Sequence, residues 1–407
     1  MAQYNITLSD DHLKGLFSGD KAVAELVQEV LNQVLLAQAS EQLKAKPYER
    51  SEDRQGYRNG TRPRPITTRV GTLVLRVPRL RAGKFSTDLF TLYQRSEQAL
   101  LITMMEMVVN GVSTRKVAAI TEELCGQEFS KSTVSELCKR LDPIVHGWNE
   151  RSLKEKRYPF VLVDAIVLKI REDGRVRSRA AMIATGISED GYREVLGIQI
   201  GDSESEAGWS EFFSWLKGRG LHGVDIVVSD SHNGLVNALQ AQFQGSTWQR
   251  CQTHFMRNFL DAVPKNLQAE LYGKVRAILD APDVETARLL LNRVVDEYGE
   301  KASKAVDILE SAFDDITAVL ALPERYRKRL RTTNGQERLN EEVRRRDRVI
   351  RIYPNRDSAF RLIGALLMEI DEKWQTGHKY FDMTEYWAWR EEQAKKAKEK
   401  ANIRKIS

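Results

Sequence analysis

Between residues 158 and 251 the chain alternates apolar runs of strand length with amphipathic runs of helix length, and this order restricts the fold more than any other feature of the sequence. Hydrophobic periodicity predicts five strands and two helices, with the strands at 160–171, 176–187, 192–200, 224–229 and 246–251 and the helices at 206–218 and 233–243. The order β-β-β-α-β-α-β predicts a sheet in which the first and fourth strands lie parallel and adjacent.

Two aspartates stand on these apolar strands. Asp164 interrupts an apolar run, and Asp230 ends the stretch VDIVVSD. The strand order is that of an RNase H-like domain, in which these carboxylates would lie side by side at the sheet edge. An unpaired buried carboxylate is strongly destabilising, so Asp164 needs a cation or an Arg partner, and Asp230 a cation or a helix to cap near Asn233. Two such acids can share two Mg²⁺ (or Mn²⁺) ions about 4 Å apart, which activate an attacking oxygen and stabilise the leaving oxygen at phosphorus.

A third acid is expected within TTNGQERLNEEVRRR, where one predicted helix carries Glu337, Glu341 and Glu342. The apolar stripe of this helix consists of Leu339, Val343 and Ile350. At roughly 100° per residue, Glu342 lies about 80° from the stripe and Glu337 about 140°, so the periodicity mildly favours Glu342. Glu337 also stands three residues after Asn334, as in a capping box. The helix angles leave the choice open.

Cys251 and His254 form a C-x-x-H pair that follows the second aspartate and shares one helix face. Two ligands do not form a zinc site, and a chain with six histidines and no CxxC pair is not expected to hold structural zinc. The pair is therefore predicted to support the acidic site, either by placing an imidazole near a phosphate or by packing beneath the acids.

Basic residues are concentrated in two segments of a chain whose net charge is +6. Residues 50–84 contain nine Arg and one Lys against two acids, and residues 325–351 contain ten Arg and one Lys against four acids. Such blocks indicate a polyanion partner, and Arg suits forked contacts to phosphate. The first segment predicts a hairpin with strands near 66–70 and 72–77. The second predicts a basic helix.

Residues 100–142 predict three helices. The second begins at Ser113 and ends at Gly126, and the third begins at Ser130 or Ser132. Two short helices joined through a glycine turn form a helix-turn-helix pattern, with the third helix as the recognition helix. The predicted DNA contacts from this helix and the two basic segments are Arg58, Arg62, Arg64, Arg69, Lys131, Ser132, Thr133, Arg338, Arg344, Arg345 and Arg346.

The composition excludes several classes of protein. With 407 residues, 42% hydrophobic and 29% charged, the chain is expected to be globular with several domains. No stretch approaches the roughly 18 apolar residues of a membrane span, and no secretory signal is expected at the N-terminus. Three widely spaced cysteines fit a reducing cytoplasm rather than a disulfide framework.

Four motifs together, VLVDAIVLKIRE, VVSDSHNGL, WQRCQTHFMRN and RTTNGQERLNEEVRRRDRVIRIYPN, resemble the Mutator-like transposases of bacterial insertion sequences. The resemblance covers nearly the whole chain and implies a DDE transposase with an RNase H-like core that a helical insertion interrupts before the Glu. It assigns the three acids to Asp164, Asp230 and Glu337, with Glu342 as the fallback, and it carries the C-x-x-H motif onto Cys251 and His254. It also implies cleavage at terminal inverted repeats, strand transfer into target DNA, and a bacterial cytoplasmic protein associated with the nucleoid.

The predicted fold is therefore a multidomain α/β chain. Its segments are an N-terminal helical region at 1–49, a basic hairpin at 50–95, a helix-turn-helix domain at 96–150, the core at 151–254 and 326–376, the helical insertion at 255–325 and a charged, frayed tail at 377–407. Because two DNA ends must be joined, we expect at least a homodimer, with the wide apolar face of the first helices as one possible contact. A silent DNA-binding repressor and an RNase H-like nuclease or resolvase are the alternative functions.

Overall fold

A computed structural model describes residues 6–7, 20–50, 52–68, 70–81, 85, 87, 98–125 and 129–406. Arg69 and Gly126, which the sequence analysis singles out, lie outside these residues. Contacts divide the chain into two compact units, Met1–Arg140 and Leu141–Ser407.

The first unit contains a long helix and a two-stranded ribbon. These elements are α1 (Asp20–Leu43), β1 (Arg58–Thr68) and β2 (Gly71–Leu80). The strands pair antiparallel as a hairpin, as predicted, but both are longer than expected, and Gly71 is the first residue of β2 rather than the residue between the strands. Pro63 and Pro65 remain within β1, because a strand with one neighbour can leave the missing N–H groups on its open side.

Helix α1 packs on the ribbon. Leu35 is fully buried against Ile66 and neighbouring apolar residues of β2. The side chains of Gln28 and Asn32 accept hydrogen bonds of 2.6 and 2.7 Å from backbone N–H groups of β2. Part of the apolar face of this helix therefore packs within the same chain, whereas Leu36 remains 43% exposed. The expected subunit contact stays a prediction.

Three short helices complete the described part of the first unit, α2 (Gln98–Val109), α3 (Thr114–Cys125) and α4 (Lys131–Cys138). They enclose a small apolar core that includes Met104, Val117 and Val134. Ser130 caps α4 as predicted, because its hydroxyl accepts a hydrogen bond of 3.1 Å from the Thr133 N–H. The three helices expected in this region are therefore present.

The second unit is built on a five-stranded mixed sheet with the order β5-β4-β3-β6-β7. Its strands are β3 (Phe160–Glu172), β4 (Arg175–Ile187), β5 (Arg193–Gly201), β6 (Ile226–Ser229) and β7 (Thr247–Arg250). The first three pair antiparallel, whereas β3 with β6 and β6 with β7 pair parallel. The first and fourth strands are thus parallel neighbours, as the sequence predicts.

Helices make up most of the rest of this unit. They are α5 (Asp142–Asn149), α6 (Glu206–Gly218), α7 (Asn233–Gln242), α8 (Gln252–Ala262), α9 (Gln268–Leu279), α10 (Val284–Tyr298), α11 (Ser303–Thr317), α12 (Glu324–Leu330), α13 (Asn334–Ile350), α14 (Arg356–Thr376) and α15 (Thr384–Ile406), with short 3-10 turns at Lys139–Leu141, Lys265–Leu267 and Ala318–Ala321. Within the described part of the chain, none of the helices has the length and apolarity to span a bilayer.

The two faces of the sheet bury different helices. Val161 and Val163 of β3 pack with α6 and α7, whereas Phe160 and Leu162 pack on the opposite face with α12 and the beginning of α15. This division follows from the alternation of side chains along a strand. Helices α8 to α11 form a separate apolar core of their own, so the segment from α8 to α11 is a helical body attached to the sheet.

Buried polar contacts close the β5 edge. The Asn149 side chain of α5 exchanges two hydrogen bonds of 3.0 Å with the backbone of Ile198. Asp371 of α14 accepts 2.7 Å from the Val195 N–H and 2.9 Å from the Trp148 indole. These side chains take the place of a further strand and leave the edge unavailable for pairing.

The end of the chain differs from the predicted frayed tail. Phe381 and Tyr386 are buried in the apolar core beneath the sheet, and the Tyr386 hydroxyl donates 2.6 Å to Asp225. Helix α15 then continues through the charged residues, where Lys396 pairs with Glu392 one turn away. Aromatic anchoring at the start and i,i+4 ion pairs along the exposed part account for the helix.

Candidate active site

The two predicted aspartates stand at matched positions of adjacent parallel strands. Leu162 of β3 is opposite Val228 of β6, so Asp164 and Asp230 each follow two residues later. Because side chains alternate, both carboxylates belong to the face that Leu162 and Val228 share, on the side of α12 and α13. The structure therefore brings together two acids that are 66 positions apart in the sequence.

The ionisation of Asp164 reflects its surroundings. Burial raises the pKa of its carboxyl to about 6, although the Ala165 N–H donates a hydrogen bond that opposes the rise. The negative charges of Asp230 and Glu204 raise this pKa further, and the positive charge of His254 lowers it. No Arg side chain pairs with Asp164 among the contacts of the described residues, so the salt-bridged alternative for this acid is not observed.

Asp230 does not cap the following helix through a side-chain contact to its first turn. The N-cap of α7 is His232, and its side chain makes no capping hydrogen bond. Asp230 instead accepts a long bond of 3.3 Å from the His232 backbone N–H and stays half-buried. Among the described residues, the Asp230 carboxylate is therefore left with few hydrogen bonds from the protein.

Helix α13 presents two residues to this acidic pair. The Asn340 amide donates a hydrogen bond of 2.6 Å to Asp164 Oδ2. Glu337 lies one turn earlier and only ~60° around the helix from Asn340. Its Oε1 is 3.7 Å from Nε2 of His254, whose charge in turn acts on Asp164. Asp164, His254 and Glu337 thus belong to one cluster.

Buried contacts fix the first turn of α13 against the sheet. The hydroxyl of Thr185 on β4 donates 2.8 Å to Gln336 Oε1, and both side chains are fully buried. The guanidinium of Arg193 stacks on Trp374 at 3.8 Å and lies beside Gly335, where an added Cβ would be 3.2 Å from it. The segment TTNGQE is therefore held at one position on the sheet.

The other candidate for the third acid has a different environment. Glu342 accepts 3.1 Å from Arg346 and lies 3.8 Å from Arg345. It is ~160° around the helix from Asn340, away from Asp164. The apolar stripe alone predicted a different orientation of this helix, because the buried side of α13 also includes polar residues, among them Gln336 and Asn340.

The predicted capping box at the start of α13 is not formed. Its N-cap is Thr333, which makes no side-chain capping bond, and Asn334 is already the first helical residue. Because Asn334 lies inside the helix, its side chain is not at the position that bonds the N3 amide. Glu337 is therefore not explained by capping.

Cys251 and His254 sit where the end of β7 meets the start of α8. Cys251 is fully buried, and its Sγ accepts contacts from the Thr333 N–H at 3.4 Å and the Thr333 hydroxyl at 3.3 Å. Burial raises the pKa of the Cys251 thiol, but hydrogen bonds with His254 and Thr333 outweigh it and lower that pKa overall. The hydrogen bond with Cys251 raises the pKa of His254 against the opposing effect of burial, and the negative charges of Cys251, Glu337 and Asp164 add to the rise.

Two sets of donor atoms could hold a cation here. The oxygen set is the one expected from the sequence, the carboxylates of Asp164, Asp230 and Glu337, and it offers the ligand type that Mg²⁺ prefers. The mixed set consists of Cys251 Sγ, a His254 ring nitrogen and a Glu337 oxygen, which all lie within 4.8 Å of one another. Glu337 is common to both sets.

Two residues of the site, Glu204 and Asn340, are not among those predicted from the sequence. Glu204 stands in the loop before α6; burial raises its pKa, the charge of His232 opposes the rise, and the charge of Asp230 adds to it. Gly234 permits this arrangement, since an added Cβ would be 2.7 Å from the Glu206 backbone nitrogen. Asn340 is the second missed residue, and its position one turn after Glu337 was the available signal.

The predicted DNA contacts fall into two groups. Those with exposed or partly exposed side chains are Arg62, Arg64, Lys131, Ser132, Thr133, Arg338, Arg344 and Arg345. Two others have structural partners instead. Arg58 donates 2.8 Å to Ser40 and 2.9 Å to the Ala45 carbonyl, which ties β1 to the end of α1, and Arg346 is buried against Glu342. These two guanidinium groups therefore have partners within the chain, and their contact with DNA stays a prediction.

The chain is similar to known proteins over most of its length. A family model described as Transposase, Mutator family matches residues 3–377. The transposase for insertion sequence element IS256 in transposon Tn4001 of Staphylococcus aureus is 44% identical over 94% of this chain and 99% of its own length. The ISRM5 transposase of Rhizobium meliloti is 43% identical over 90% and 92%, and the IS1081 transposase of Mycobacterium tuberculosis is 40% identical over 82% and 81%.

A solved Mos1 transposase paired-end complex with its left transposon end matches 39% of this chain and 60% of that chain at 12% identity, but its TM-score of 0.14 is too low to carry an argument about fold. The family match extends over both compact units and includes every residue of the acidic cluster. The chain therefore belongs to the Mutator family of transposases.

Proposed function

We propose that this transposase cleaves DNA at the terminal inverted repeats of its insertion sequence and transfers the freed strand to target DNA, in a Mg²⁺-dependent reaction (Mn²⁺ substituting) at Asp164, Asp230 and Glu337. The observation that carries the proposal is the matched register of Asp164 and Asp230 on adjacent parallel strands. Glu337 of α13 lies 3.7 Å from His254, on whose charge both Glu337 and Asp164 act. The relatives are themselves named as transposases for insertion sequence elements.

The same observations support an RNase H-like core in the second unit. Three antiparallel strands are followed by two parallel strands that extend the sheet from β3, and helices pack on both faces. The helical body of α8 to α11 enters between β7 and α13. A fold of this order delivers acids from the first strand, the fourth strand and a late helix to one place.

The donor atoms of this chain suit two Mg²⁺ ions. The negative charges of Asp164 and Asp230 repel each other. This repulsion raises the pKa of Asp164, although burial raises it more, and Glu204 adds further negative charge. A cluster of hard oxygen donors that lacks an arginine partner at Asp164 is what a hard divalent cation stabilises. When bound, Mg²⁺ would acidify the attacking hydroxyl group and offset charge that develops at the phosphate.

The remaining residues of the cluster hold the acids and the substrate. Asn340 orients Asp164 through its hydrogen bond to Oδ2, and Oδ1 accepts a hydrogen bond of 2.8 Å from the Ala165 N–H. His254 carries a raised pKa beside Glu337 and therefore holds more of its positive charge at neutral pH, which favours a phosphate at its Nε2. Cys251 and Thr333 support His254 and the start of α13 from below.

DNA would be held by cations that are exposed or partly exposed. The ribbon contributes Arg62 and Arg64, α4 contributes Lys131, and the exposed side of α13 contributes Arg338 and Arg344. Because two ends are joined in one reaction, we propose that the active species is at least a homodimer on paired ends. Sedimentation of the protein on paired terminal repeats is expected to show two or more protomers for each complex.

One assay separates this function from its alternatives. Purified protein is incubated with DNA that carries the terminal inverted repeats, with Mg²⁺ or with EDTA, beside the Asp164→Asn and Asp230→Asn variants. Mg²⁺-dependent nicking and joining at the ends, lost in both variants while DNA binding is retained, is the expected result. Binding without cleavage by the unaltered chain would indicate a repressor, and cleavage of unrelated branched DNA would indicate a resolvase.

A further inference from the structure

We propose that Cys251, His254 and Glu337 form a second cation site, selective for a thiolate-preferring metal such as Zn²⁺, and that occupation of this site blocks the reaction by withdrawing Glu337 from the acidic pair. The three donor atoms lie within 4.8 Å of one another before any metal binds. Binding at this site does not depend on the proposed DNA chemistry, whereas inhibition rests on it.

The distances suit a tetrahedral ion after small movements. With Zn–S near 2.3 Å and Zn–N or Zn–O near 2.1 Å, ligand atoms of a tetrahedral site are separated by about 3.4 to 3.6 Å. His254 Nε2 and Glu337 Oε1 are already 3.7 Å apart. Closing the remaining separations requires shifts of roughly 1 Å, within the reach of the rotatable side chains of His254 and Glu337.

The surroundings of the sulfur resemble the outer shell of a metal thiolate. Two donors from Thr333 are directed at Cys251 Sγ, the backbone N–H at 3.4 Å and the hydroxyl at 3.3 Å. The Gln252 N–H also donates a hydrogen bond of 2.9 Å to the carbonyl of Arg331 at the end of α12, so the start of α8 is joined to the segment that leads into α13. Such outer contacts orient ligands and strengthen metal binding.

The choice of metal follows from the donor atoms. A thiolate and an imidazole select Zn²⁺ over Mg²⁺, which prefers oxygen ligands and retains its water. Three protein ligands leave a fourth position open to water or to a phosphate oxygen. The single carboxylate of Glu337 cannot be a full ligand of both metal sites. Zn²⁺ bound to the mixed set therefore competes with Mg²⁺ at the oxygen set and so with catalysis.

The first experiment measures metal binding alone. Co²⁺ replaces Zn²⁺ as a spectroscopic probe of the full-length chain, without DNA, because a Co²⁺–thiolate bond gives a charge-transfer absorption that oxygen ligands do not give. We expect this absorption in the unaltered chain, its loss in Cys251→Ser, and its displacement by Zn²⁺. Zn²⁺ affinity is expected to fall at least 10- to 100-fold in Cys251→Ser and in His254→Gln, since even outer-shell changes have effects of that size.

Matched controls separate a ligand from a folding effect. Cys138 is also a buried cysteine, and Cys138→Ser is expected to leave the absorption unchanged. His254 is partly exposed, so His254→Gln is expected to fold even if removal of the buried sulfur does not. If Co²⁺ gives no thiolate absorption, or if it persists in Cys251→Ser, the second site does not exist.

The second experiment measures inhibition. At fixed Mg²⁺, micromolar Zn²⁺ is expected to lower DNA cleavage, EDTA followed by Mg²⁺ to restore it, and His254→Gln to require at least tenfold more Zn²⁺ for half inhibition of its own rate. If Zn²⁺ binds with the thiolate signal but does not slow cleavage, the inhibitory role of the site is wrong and the assignment of Glu337 to catalysis loses support. If cleavage is absent in every condition while binding is intact, the proposed function fails and the cation site stands.

Discussion

The amide of Asn340 donates a hydrogen bond of 2.6 Å to the carboxylate of Asp164, although the two residues are 176 positions apart. This contact fixes the face of α13 that meets the sheet, and it places Glu337 one turn away on the same side. We expect Asn340→Ala to lower cleavage about 10- to 100-fold at limiting Mg²⁺, because Asp164 loses its orienting donor. The loss should shrink as Mg²⁺ is raised, and DNA binding should be unchanged.

Asn237→Ala provides the matched control for that variant. Asn237 is an exposed helical asparagine that donates 2.9 Å to Glu206. Equal cleavage rates of Asn340→Ala and Asn237→Ala over the whole range of Mg²⁺ concentration would show that the contact with Asp164 has no role in positioning.

A stability measurement tests the electrostatic strain at the acidic pair. Burial, then the charges of Asp230 and Glu204, raise the pKa of Asp164 from 3.8 to about 6. The folded chain thus binds this proton more tightly than the unfolded chain, so the stabilisation is complete below pH ~4 and is lost as the pH rises through about 6. We expect Asp164→Asn to stabilise the metal-free protein by ~1 to 3 kcal/mol at pH 7.5 and by little at pH 4.

The structure can accommodate that substitution. Asn340 Oδ1 is buried without a hydrogen-bond partner, so its amide can turn to accept from the new amide of Asp164→Asn. Thermal unfolding with and without Mg²⁺ gives the readout, and Mg²⁺ should stabilise only the unaltered chain. An Asp164→Asn variant that is no more stable at pH 7.5 than at pH 4, relative to the unaltered chain, would contradict the raised pKa.

Two glutamine substitutions distinguish between the two candidates for the third acid, Glu337 and Glu342. Glu337→Gln is expected to lower cleavage about 100- to 1000-fold, as loss of a metal ligand worth several kcal/mol would do. Glu342→Gln removes a half-exposed partner of Arg346 and should change cleavage less than threefold and stability by at most ~1 kcal/mol. The reverse order of effects would assign the role to Glu342.

The ribbon predicts a change in the salt dependence of DNA binding. Arg62, Arg76 and Arg79 are exposed on β1 and β2, and their joint replacement by Ala should reduce the slope of log affinity against log salt by about 2 to 3. A control of equal charge loss replaces ion-paired cations of the helical body, Lys274, Arg276 and Arg288. The same slope for the ribbon variant and the unaltered chain would exclude the ribbon as a phosphate contact.

The strand order and the positions of the two aspartates could be predicted from the sequence better than the buried face of α13 could. Apolar runs near 160–187 and 224–229 are long enough for their period to be recognised, so the strand order and the neighbouring positions of Asp164 and Asp230 could be expected. The buried polar residues Gln336 and Asn340 carry no hydrophobic signal, and the helix angles therefore pointed to Glu342. Long-range contacts such as Thr333 with Cys251 depend on tertiary packing, which periodicity does not contain.

Local sequence patterns also gave wrong expectations in the ribbon and in the C-terminal segment, and each difference has a physical reason. The ribbon extends past the predicted strands because Pro63 and Pro65 are tolerated in a strand with one neighbour. The charged C-terminal segment is helical because Phe381 and Tyr386 anchor its beginning in the core. The open edge of the ribbon and the aromatic anchors of α15 are both tertiary features that local composition does not contain.

The central claim is that Asp164, Asp230 and Glu337 converge on one divalent cation site, and metal-directed cleavage of the protein backbone tests it directly. Fe²⁺ is bound in place of Mg²⁺, ascorbate and hydrogen peroxide generate radicals at the bound ion, and the fragments are mapped. We expect cuts near positions 164, 230 and 337 together, suppressed by excess Mg²⁺ and lost in Asp230→Asn. Cuts confined to the neighbourhood of positions 251–254, or the same cuts at the same yield in Asp230→Asn, would contradict it.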